Sequence, residues 1–296
     1  MIKVLLQTTI ESIEDDWNIE RFSLLKQHLE SARDASGAKV FDVTARNRAL
    51  RGSPDPIIST LAESDFDEVW LIAVDVGDGL APEDCAGLSA FRRRGGGLMV
   101  TRDHMDLGSS VCTLGGVGAA HHFHSKNVHE DPTLQHPDNT TNTSISWPNY
   151  YSGENGDYQR IAVVGAPHEV LYDPTESDQT LKYLPAHPHE GLVSAPRHDH
   201  TARVIMQGRS IATTRRFNLA VAFEATEHGG RAIAQSTFHH FADFNWDIEH
   251  GSPSFVTDRT GDNMRKFDDA LRSTKQYAIN VALWLAGRNP RDFSPA

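Results

Sequence analysis

FDEVWLIAV, residues 66–74, and RRRGGGLMVT, residues 92–101, are the two stretches that decide the fold. The first holds a continuous apolar run, which is typical of a strand covered on both faces. The second begins at the end of a predicted helix that starts at Pro82, and its three glycines stop that helix before a further strand. This strand–helix–strand unit predicts an α/β fold built on a parallel sheet.

Apolar segments on either side extend the same alternation. Lys3 to Gln7 and Lys39 to Val43 are predicted strands, and a helix with one apolar face is predicted between them over Ile19 to Ala32. Three later strands and a long C-terminal helix are predicted over Ala202 to Gln207, Asn218 to Phe223, Arg231 to Thr237 and Asn263 to Leu285. Helices are therefore expected on both faces of the sheet.

Residues 115–200 separate the two halves and differ from them in composition. Between 115 and 159, glycine, proline, asparagine and histidine dominate and the apolar periodicity is poor. A long segment of this kind inside a compact protein is usually functional. Because no linker or internal repeat is visible, we predict a single domain over residues 1–296, with 115–200 as a loop-rich excursion over the active face.

Charge and composition exclude several classes of function. The formal net charge is −12 with histidines neutral, which disfavours a nucleic-acid partner, because phosphate binding needs clustered lysine and arginine. No stretch approaches the ~20 apolar residues of a membrane span, and the apolar N-terminal run lacks the features of a signal peptide. Two cysteines do not suggest a disulfide framework. These features predict a cytoplasmic protein that binds a small molecule, without membrane or nucleic acid as a partner.

The order of several motifs resembles a known family. The first motif is the strand Phe66–Ile72, followed by a helix that carries Phe91 and by the glycine-rich segment Arg94–Val100. The second, much later in the chain, is Gly230–Ala234, which leads to Phe238-His239-His240. This order is similar to the ThuA-like (trehalose utilisation) group of the class I glutamine amidotransferase-like superfamily. The resemblance implies a flavodoxin-like parallel sheet with helices on both faces. It also implies a homodimer, since such domains often pair.

The segment after the glycine-rich strand departs from the amidotransferase pattern. An amidotransferase carries its nucleophilic cysteine in a tight elbow there, whereas this chain has Arg102-Asp103-His104, and Cys112 follows too late. Hydrolysis through a cysteine thioester is therefore not expected. The resemblance implies that His104 occupies the elbow and that His239 or His240 lies near the position of the triad histidine.

Histidine is the most informative residue type, since fifteen of the 16 histidines lie between His104 and His250. His187 and His189 are two residues apart, so in an extended segment both point to one face and can bind one ion. His239 and His240 follow a predicted core strand, from which at most one of them faces the site. We predict a divalent metal ion such as zinc, held by His187, His189 and one of His239 and His240.

Further polar residues complete the predicted site. Asp103 and Glu190 are candidate general bases, and His104 and His122 are candidates for stabilising negative charge or protonating a leaving group. Aromatic and amide side chains in the excursion suit a polar, hydroxyl-rich substrate, because rings stack on it and amides hydrogen-bond to it. The predicted substrate-binding residues are His124, Trp147, Asn149, Tyr151, Asn155 and Asp157.

Three classes of function fit these residues. The foremost is a metal-assisted hydrolase or lyase acting on a small polar substrate, either carbohydrate-like or an amide. The second is a non-catalytic sugar-binding or sensor protein of the same fold. The third is a metal-free enzyme that uses Cys112, Ser109 or Ser110 as its nucleophile.

Overall fold

The structure, a computed structural model, describes residues 1–293, apart from the side chains of residues 112–114. Its strands are β1 (Ile2–Thr8), β2 (Phe41–Arg46), β3 (Glu68–Ile72), β4 (Gly97–Thr101), β5 (His121–His122), β6 (Tyr158–Arg160), β7 (Ala162–Val163), β8 (Tyr183–Pro185), β9 (Leu192–Val193), β10 (Ala202–Arg209), β11 (Arg216–Phe223) and β12 (Ala232–Gln235). Its α-helices are α1 (Ser23–Ser31), α2 (Pro82–Arg93), α3 (Asp243–Trp246), α4 (Asn263–Lys266) and α5 (Asp268–Leu285). Short 3₁₀ helices include Ile19–Phe22, Ser109–Leu114 and Phe238–His240. Within residues 1–293, no helix is both long and apolar enough to cross a bilayer.

Eight strands form one sheet in the order β2–β1–β3–β4–β12–β11–β10–β7. The first five of these run parallel, and the pairs from β12 to β7 are antiparallel. The predicted α/β fold with a parallel core is confirmed. The sequence pattern did not predict the antiparallel direction of the last strands. Short connections join β10 to β11 and β11 to β12, which suits antiparallel pairing because parallel neighbours need a longer crossover.

Alternate residues of the central strands belong to two separate apolar layers. In β1, Val4 and Leu6 join the layer that contains residues of α1 and α5, whereas Leu5 joins the layer that contains residues of α2. In β3, Trp70 belongs to the first layer and Leu71 to the second. Because helices cover both faces, these strands consist of continuous apolar runs.

The segment between β4 and β10, which contains the predicted excursion over residues 115–200, consists mainly of loops, 3₁₀ turns and short strands. β5 pairs with β9, and β6 pairs with β8, each as a separate two-stranded sheet. β7 joins the edge of the main sheet beside β10. The excursion thus remains attached to the domain while its loops reach the carboxyl edge of the parallel strands.

The C-terminal helix differs from the prediction of one helix over Asn263 to Leu285. The chain leaves helical geometry at Phe267, where φ is −126° and ψ is 90°, and this break separates α4 from α5. The ring of Phe267 packs between Tyr158 and Tyr183, with centroid distances of 5.2 and 5.3 Å. This aromatic contact accounts for the break, which the helical spacing of apolar residues did not indicate.

Gly87 provides a test of how α2 packs against the preceding chain. A Cβ added there would lie 2.1 Å from the carbonyl oxygen of Ile58. Alanine is favoured over glycine inside a helix by roughly 1 kcal/mol, but severe overpacking costs about 3 kcal/mol. We therefore expect Gly87→Ala to lower the free energy of unfolding in urea by a net ~2 kcal/mol. Ala86→Gly, at the exposed neighbouring position, should lose only the ~1 kcal/mol of helix propensity. A Gly87→Ala protein more stable than the parent would contradict the contact.

Candidate functional site

The carboxyl ends of four neighbouring parallel strands frame the candidate site. The register of β1, β3, β4 and β12 brings their last residues side by side. In open α/β sheets, ligands bind beyond this edge. Asp103 and His104 follow β4 there, and Thr237 and His239 follow β12. The excursion folds over the same edge and adds His187.

Asp103 lies at the centre of these groups and is 1% exposed. Its Oδ1 accepts a hydrogen bond from Thr237 Oγ1 at 2.8 Å and faces His187 Nε2 at 3.2 Å. Its Oδ2 lies 2.7 Å from His104 Nδ1 and 3.7 Å from His239 Nε2. Burial by itself raises the pKa of this carboxyl, and the imidazoles of His187, His104 and His239 hold it well below its ordinary value only when they carry positive charge. Asp103 is therefore a buried carboxyl group whose ionisation depends on positive charge beside it.

A chain of amide hydrogen bonds determines which ring nitrogens of His187 and His239 carry hydrogen. Asn245 Nδ2 donates to Ala186 O at 3.1 Å and to Asn155 Oδ1 at 2.9 Å. The Oδ1 atoms of both asparagines are consequently acceptors. His239 Nδ1 lies 2.8 Å from Asn245 Oδ1, and His187 Nδ1 lies 2.9 Å from Asn155 Oδ1. Each Nδ1 must therefore donate, so Nε2 of each neutral ring keeps its lone pair.

These lone pairs face the carboxylate of Asp103, which is unfavourable unless a proton or a cation lies between them. Among the described residues, His187 Nε2 is buried and makes no hydrogen bond of good geometry, although Asp103 Oδ1 lies 3.2 Å away. Burial lowers the pKa of both His187 and His239, which opposes protonation of the rings. A metal cation fits the same geometry, because carboxylates and neutral imidazoles are metal ligands.

The donor set best arranged for an ion belongs to Asp103, His104 and His187. One ligand atom of each residue lies within 4.8 Å of those of the other two. His239 is placed differently, since its ring stacks on that of His187 with centroids 3.6 Å apart and an interplanar angle of 12°. An ion in the plane of one stacked ring lies outside the plane of the other. The stacked pair thus supplies one ligand, and three protein ligands leave a coordination position open.

His189 forms a pair with Asp258 beside this group. Its Nε2 lies 3.2 Å from Asp258 Oδ1, and its ring meets that of His104 edge-on, with centroids 5.5 Å apart. The hydrogen bond from His189 lowers the pKa of the Asp258 carboxyl, which is therefore ionised. His189 Nδ1 is buried and has no hydrogen-bond partner in the part of the chain that the structure describes. An imidazole oriented by a carboxylate, with its second nitrogen available, is arranged as a general base.

A cavity of about 390 Å³ opens onto these groups, and this volume falls within the range of small-molecule sites. The indole of Trp17 forms part of its wall and meets the ring of His239 edge-on at a centroid distance of 4.7 Å. The predicted site residues that line it are Asp103, His104, Asn155, His187, His189 and His239. The structure therefore brings together residues from β4, from β12 and from two parts of the excursion.

Glu190 and His240 form a second, fully buried cluster and are not among the residues that line the cavity. His240 Nε2 lies 3.4 Å from Glu190 Oε2, which also accepts a hydrogen bond from Ser236 Oγ at 2.9 Å. Ser152 Oγ donates to Glu190 Oε1 at 2.7 Å and accepts from His187 N at 2.9 Å. The cluster thus supports the segment that carries His187, whereas the sequence had placed Glu190 and His240 in the site itself.

His122 lies apart from the cavity, in the excursion. Its Nδ1 is 2.8 Å from the carbonyl oxygen of Asn127, and its Nε2 is 2.6 Å from Ser194 Oγ. Burial lowers its pKa to about 4. These contacts join the 121–127 loop to the end of β9, so the predicted catalytic histidine is placed away from Asp103.

Of the six predicted substrate-binding residues, Asn155 lines the cavity and the others do not. His124 and Trp147 form a ring pair with centroids 5.9 Å apart. Asn149 Nδ2 donates to the carbonyl oxygens of Asn139 and Ile145. The Tyr151 hydroxyl donates to Glu154 Oε1, and Asp157 Oδ1 accepts from Asn263 Nδ2 at the start of α4. These aromatic and amide side chains therefore make contacts that hold the excursion together.

The nucleophiles of the metal-free alternative lie on the loop after β4. Ser110 Oγ donates to Asp75 Oδ2 at 2.8 Å, and Ser109 begins the 3₁₀ helix Ser109–Leu114. The side chain of Cys112 lies outside the described residues.

Sequence reasoning did not identify Asp258, Trp17 or the roles of the two amides that orient the imidazoles. Asp258 is an isolated aspartate in a turn-rich segment, and Trp17 precedes the first helix, so neither carries a motif. Asn245 did have a signal, because it is a polar residue inside the aromatic run FADFNW that follows His240.

Solved structures with the same fold are known at low sequence identity. A ThuA-like protein from Parabacteroides merdae is 15% identical with a TM-score of 0.54, over 97% of this chain and 91% of that chain. The glutaminase domain of Trypanosoma brucei CTPS, with bound acivicin, is 12% identical with a TM-score of 0.50, over 96% of this chain and 94% of that chain. No family model and no curated protein matches the sequence. The chain therefore has a ThuA-like, class I glutamine amidotransferase-like fold, as the motifs predicted.

Proposed function

We propose that this protein is a metal-assisted hydrolase or lyase that acts on a small polar amide or carbohydrate-like substrate. A divalent ion such as zinc would be held by Asp103, His104 and His187. One observation carries the proposal: His187 Nε2 is buried, lies 3.2 Å from Asp103 Oδ1 and makes no well-directed hydrogen bond within the described part of the chain. Its tautomer is fixed by Asn155, and a cation makes this contact favourable.

The surroundings of the three residues fit an ion. Metal-bound histidines commonly donate their other ring N–H to an oxygen acceptor, which fixes the tautomer, and Asn155 does this for His187. Thr237 holds the Asp103 carboxylate in place from the other side. A bound divalent ion would lower the pKa of water and polarise a carbonyl oxygen.

The chain's own residues supply the proton transfers. His189 is placed to take a proton at Nδ1, while Asp258 keeps Nε2 protonated and stabilises the imidazolium that forms. For an amide, the water oxygen bonds to the carbonyl carbon, the C–N bond breaks, and the proton passes from His189 to the leaving nitrogen. This assignment replaces the cysteine of an amidotransferase elbow with the carboxylate and imidazole of Asp103 and His104.

Elemental analysis of protein purified without a histidine tag tests the metal. We expect about one zinc or similar ion per chain, lost on prolonged treatment with chelator and restored by the ion. His187→Ala should lose the ion, whereas His228→Ala, whose side chain is 85% exposed, should keep it. Protein that holds no stoichiometric ion, with turnover that chelator leaves unchanged, would refute the metal. Binding of small amides or sugars without any product would favour a non-catalytic binding protein.

A further inference from the structure

The cavity beside the proposed metal centre contains more carboxylates than cationic side chains. Its carboxylates are those of Asp16, Asp75, Asp103 and Asp258. Among its described lining residues, Arg51 is the one lysine or arginine, and its Nη1 already lies 3.1 Å from Asp78 Oδ2. A divalent ion would offset two of the four carboxylates. An anionic substrate would therefore approach the Asp16 carboxylate without an unpaired cationic side chain to bind it. The Asp75 carboxylate is buried in the wall, where it accepts hydrogen bonds from Thr9 and Ser110.

Apolar side chains form much of the same cavity. Val76 and Phe255 line it, although they are 70% and 58% exposed. Trp17 and Ile145 line it as well, and the Trp17 ring is almost fully buried. Exposed apolar side chains at a cavity mouth gain from covering by an apolar group. The charge and the apolar surface thus favour the same kind of ligand.

We propose that the substrate is uncharged and carries an aryl or alkyl group next to the bond that is cleaved. An aryl amide is the simplest compound of this class. The identity of the cleaved bond rests on the proposed function, whereas the preference for uncharged, apolar-bearing ligands rests on the cavity alone. Hydrolysis of such an amide consumes one water and yields a carboxylic acid and an arylamine, so no other co-reactant is needed.

Equilibrium dialysis with a matched pair of compounds tests this selectivity. The probes are 4-nitroacetanilide, which is uncharged, and 5-acetamido-2-nitrobenzoate, which adds a carboxylate to the same ring. Both are measured with chelator-treated protein and again with zinc-loaded protein. We expect the uncharged compound to bind about tenfold more tightly in each form. Equal or tighter binding of the carboxylate, or binding of neither compound, would overturn the proposal.

Three variants locate the effect. Phe255→Ser should weaken binding of 4-nitroacetanilide by about fivefold or more, since it removes apolar surface at the mouth. Ile211→Ser is the matched control, because Ile211 is 62% exposed and does not line the cavity, and it should leave binding unchanged. Asp16→Asn should reduce the ratio between the dissociation constants of the two compounds, because it removes one negative charge from the cavity. Equal effects of Phe255→Ser and Ile211→Ser would place the ligand elsewhere and overturn the proposal.

Dialysis and turnover separate this inference from the proposed function. Selective binding of the uncharged compound without release of 4-nitroaniline would support the inferred class of ligand and would count against hydrolysis of the amide. Release of aniline product with a preference for the carboxylated compound would support hydrolysis and overturn the ligand class.

Discussion

We expect Asp103→Asn to lose most of the metal affinity and most of the turnover proposed for this protein. The substitution keeps the size of the side chain and its acceptor oxygen for Thr237, but it removes the negative charge that His104 and His187 surround. Loss of groups that merely support a ligand typically costs roughly 10–100-fold in metal affinity or activity. Removal of a direct anionic ligand should cost more, on the order of 10³-fold, in both quantities. Competition with a chromogenic chelator measures the affinity.

Asp106→Asn provides the matched control for this variant. Asp106 is on the same loop, and its carboxylate accepts hydrogen bonds from Ser125 N and Ser125 Oγ, each at 2.8 Å. It is not one of the residues proposed to hold the ion. The control should retain the ion and the activity. If Asp103→Asn binds the ion as tightly as Asp106→Asn does, Asp103 is not a ligand.

Glu190→Ala should lower the free energy of unfolding by about 3–5 kcal/mol, since removing one partner leaves the rest of a buried polar cluster uncompensated. Glu190 is fully buried, and its carboxylate is the common partner of His240, Ser152 and Ser236. His240 Nδ1 accepts from Gln235 Nε2, whose own amide oxygen accepts from Tyr277. His240 Nε2 and Gln159 Nε2 both contact the Glu190 carboxylate, so its removal leaves both groups facing the vacant position.

Glu224→Ala is the control for that measurement by urea unfolding. Glu224 also lies beside a histidine, at 3.2 Å from His168 Nε2, but its side chain is 48% exposed. Because the Glu224 carboxylate reaches water while its partner ring is buried, loss of this contact should cost only about 0–1 kcal/mol. Similar unfolding free energies for the two variants would show that the buried Glu190 cluster contributes no more to stability than the Glu224–His168 contact does.

Much of the fold could be predicted because its signals are local. The run at β3, the glycines before β4 and the proline at the start of α2 each specify an element within a few residues. The direction of β11 depends on its pairing with β12, and that of β10 on its pairing with β11; the short connections between these strands favour antiparallel pairing. The break at Phe267 involves two tyrosines about one hundred residues earlier in the chain, and that contact leaves no local pattern.

The part of the candidate site that lies directly after predicted strands could be predicted from the sequence. Asp103, His104 and His239 follow β4 and β12, and the topology places those ends side by side. The sequence also predicted that at most one of His239 and His240 faces the site, because the side chains of adjacent residues point in different directions. In contrast, the sequence gives no sign that His189 pairs with Asp258, since the two are 69 residues apart.

Glu190 shows why residue type alone was insufficient. A carboxylate next to two histidines suits a general base, yet here it is enclosed by hydroxyl and imidazole donors behind the segment that carries His187. Its environment depends on Ser152, Ser236 and His240, which come from separate parts of the chain. A carboxylate beside histidines can therefore either support a neighbouring segment, as Glu190 does, or line a cavity, as Asp103 does. The three-dimensional position of the residue decides which.

Anomalous diffraction at the zinc edge, from crystals grown with zinc, tests the central claim most directly. We expect one strong peak beyond the carboxyl end of β4, about 2.0–2.2 Å from Asp103, His104 and His187 Nε2. The ring of His187 should keep its Nδ1 hydrogen bond to Asn155. Peaks confined to exposed histidines such as His228, with His187 Nε2 still facing Asp103 directly, would contradict the account.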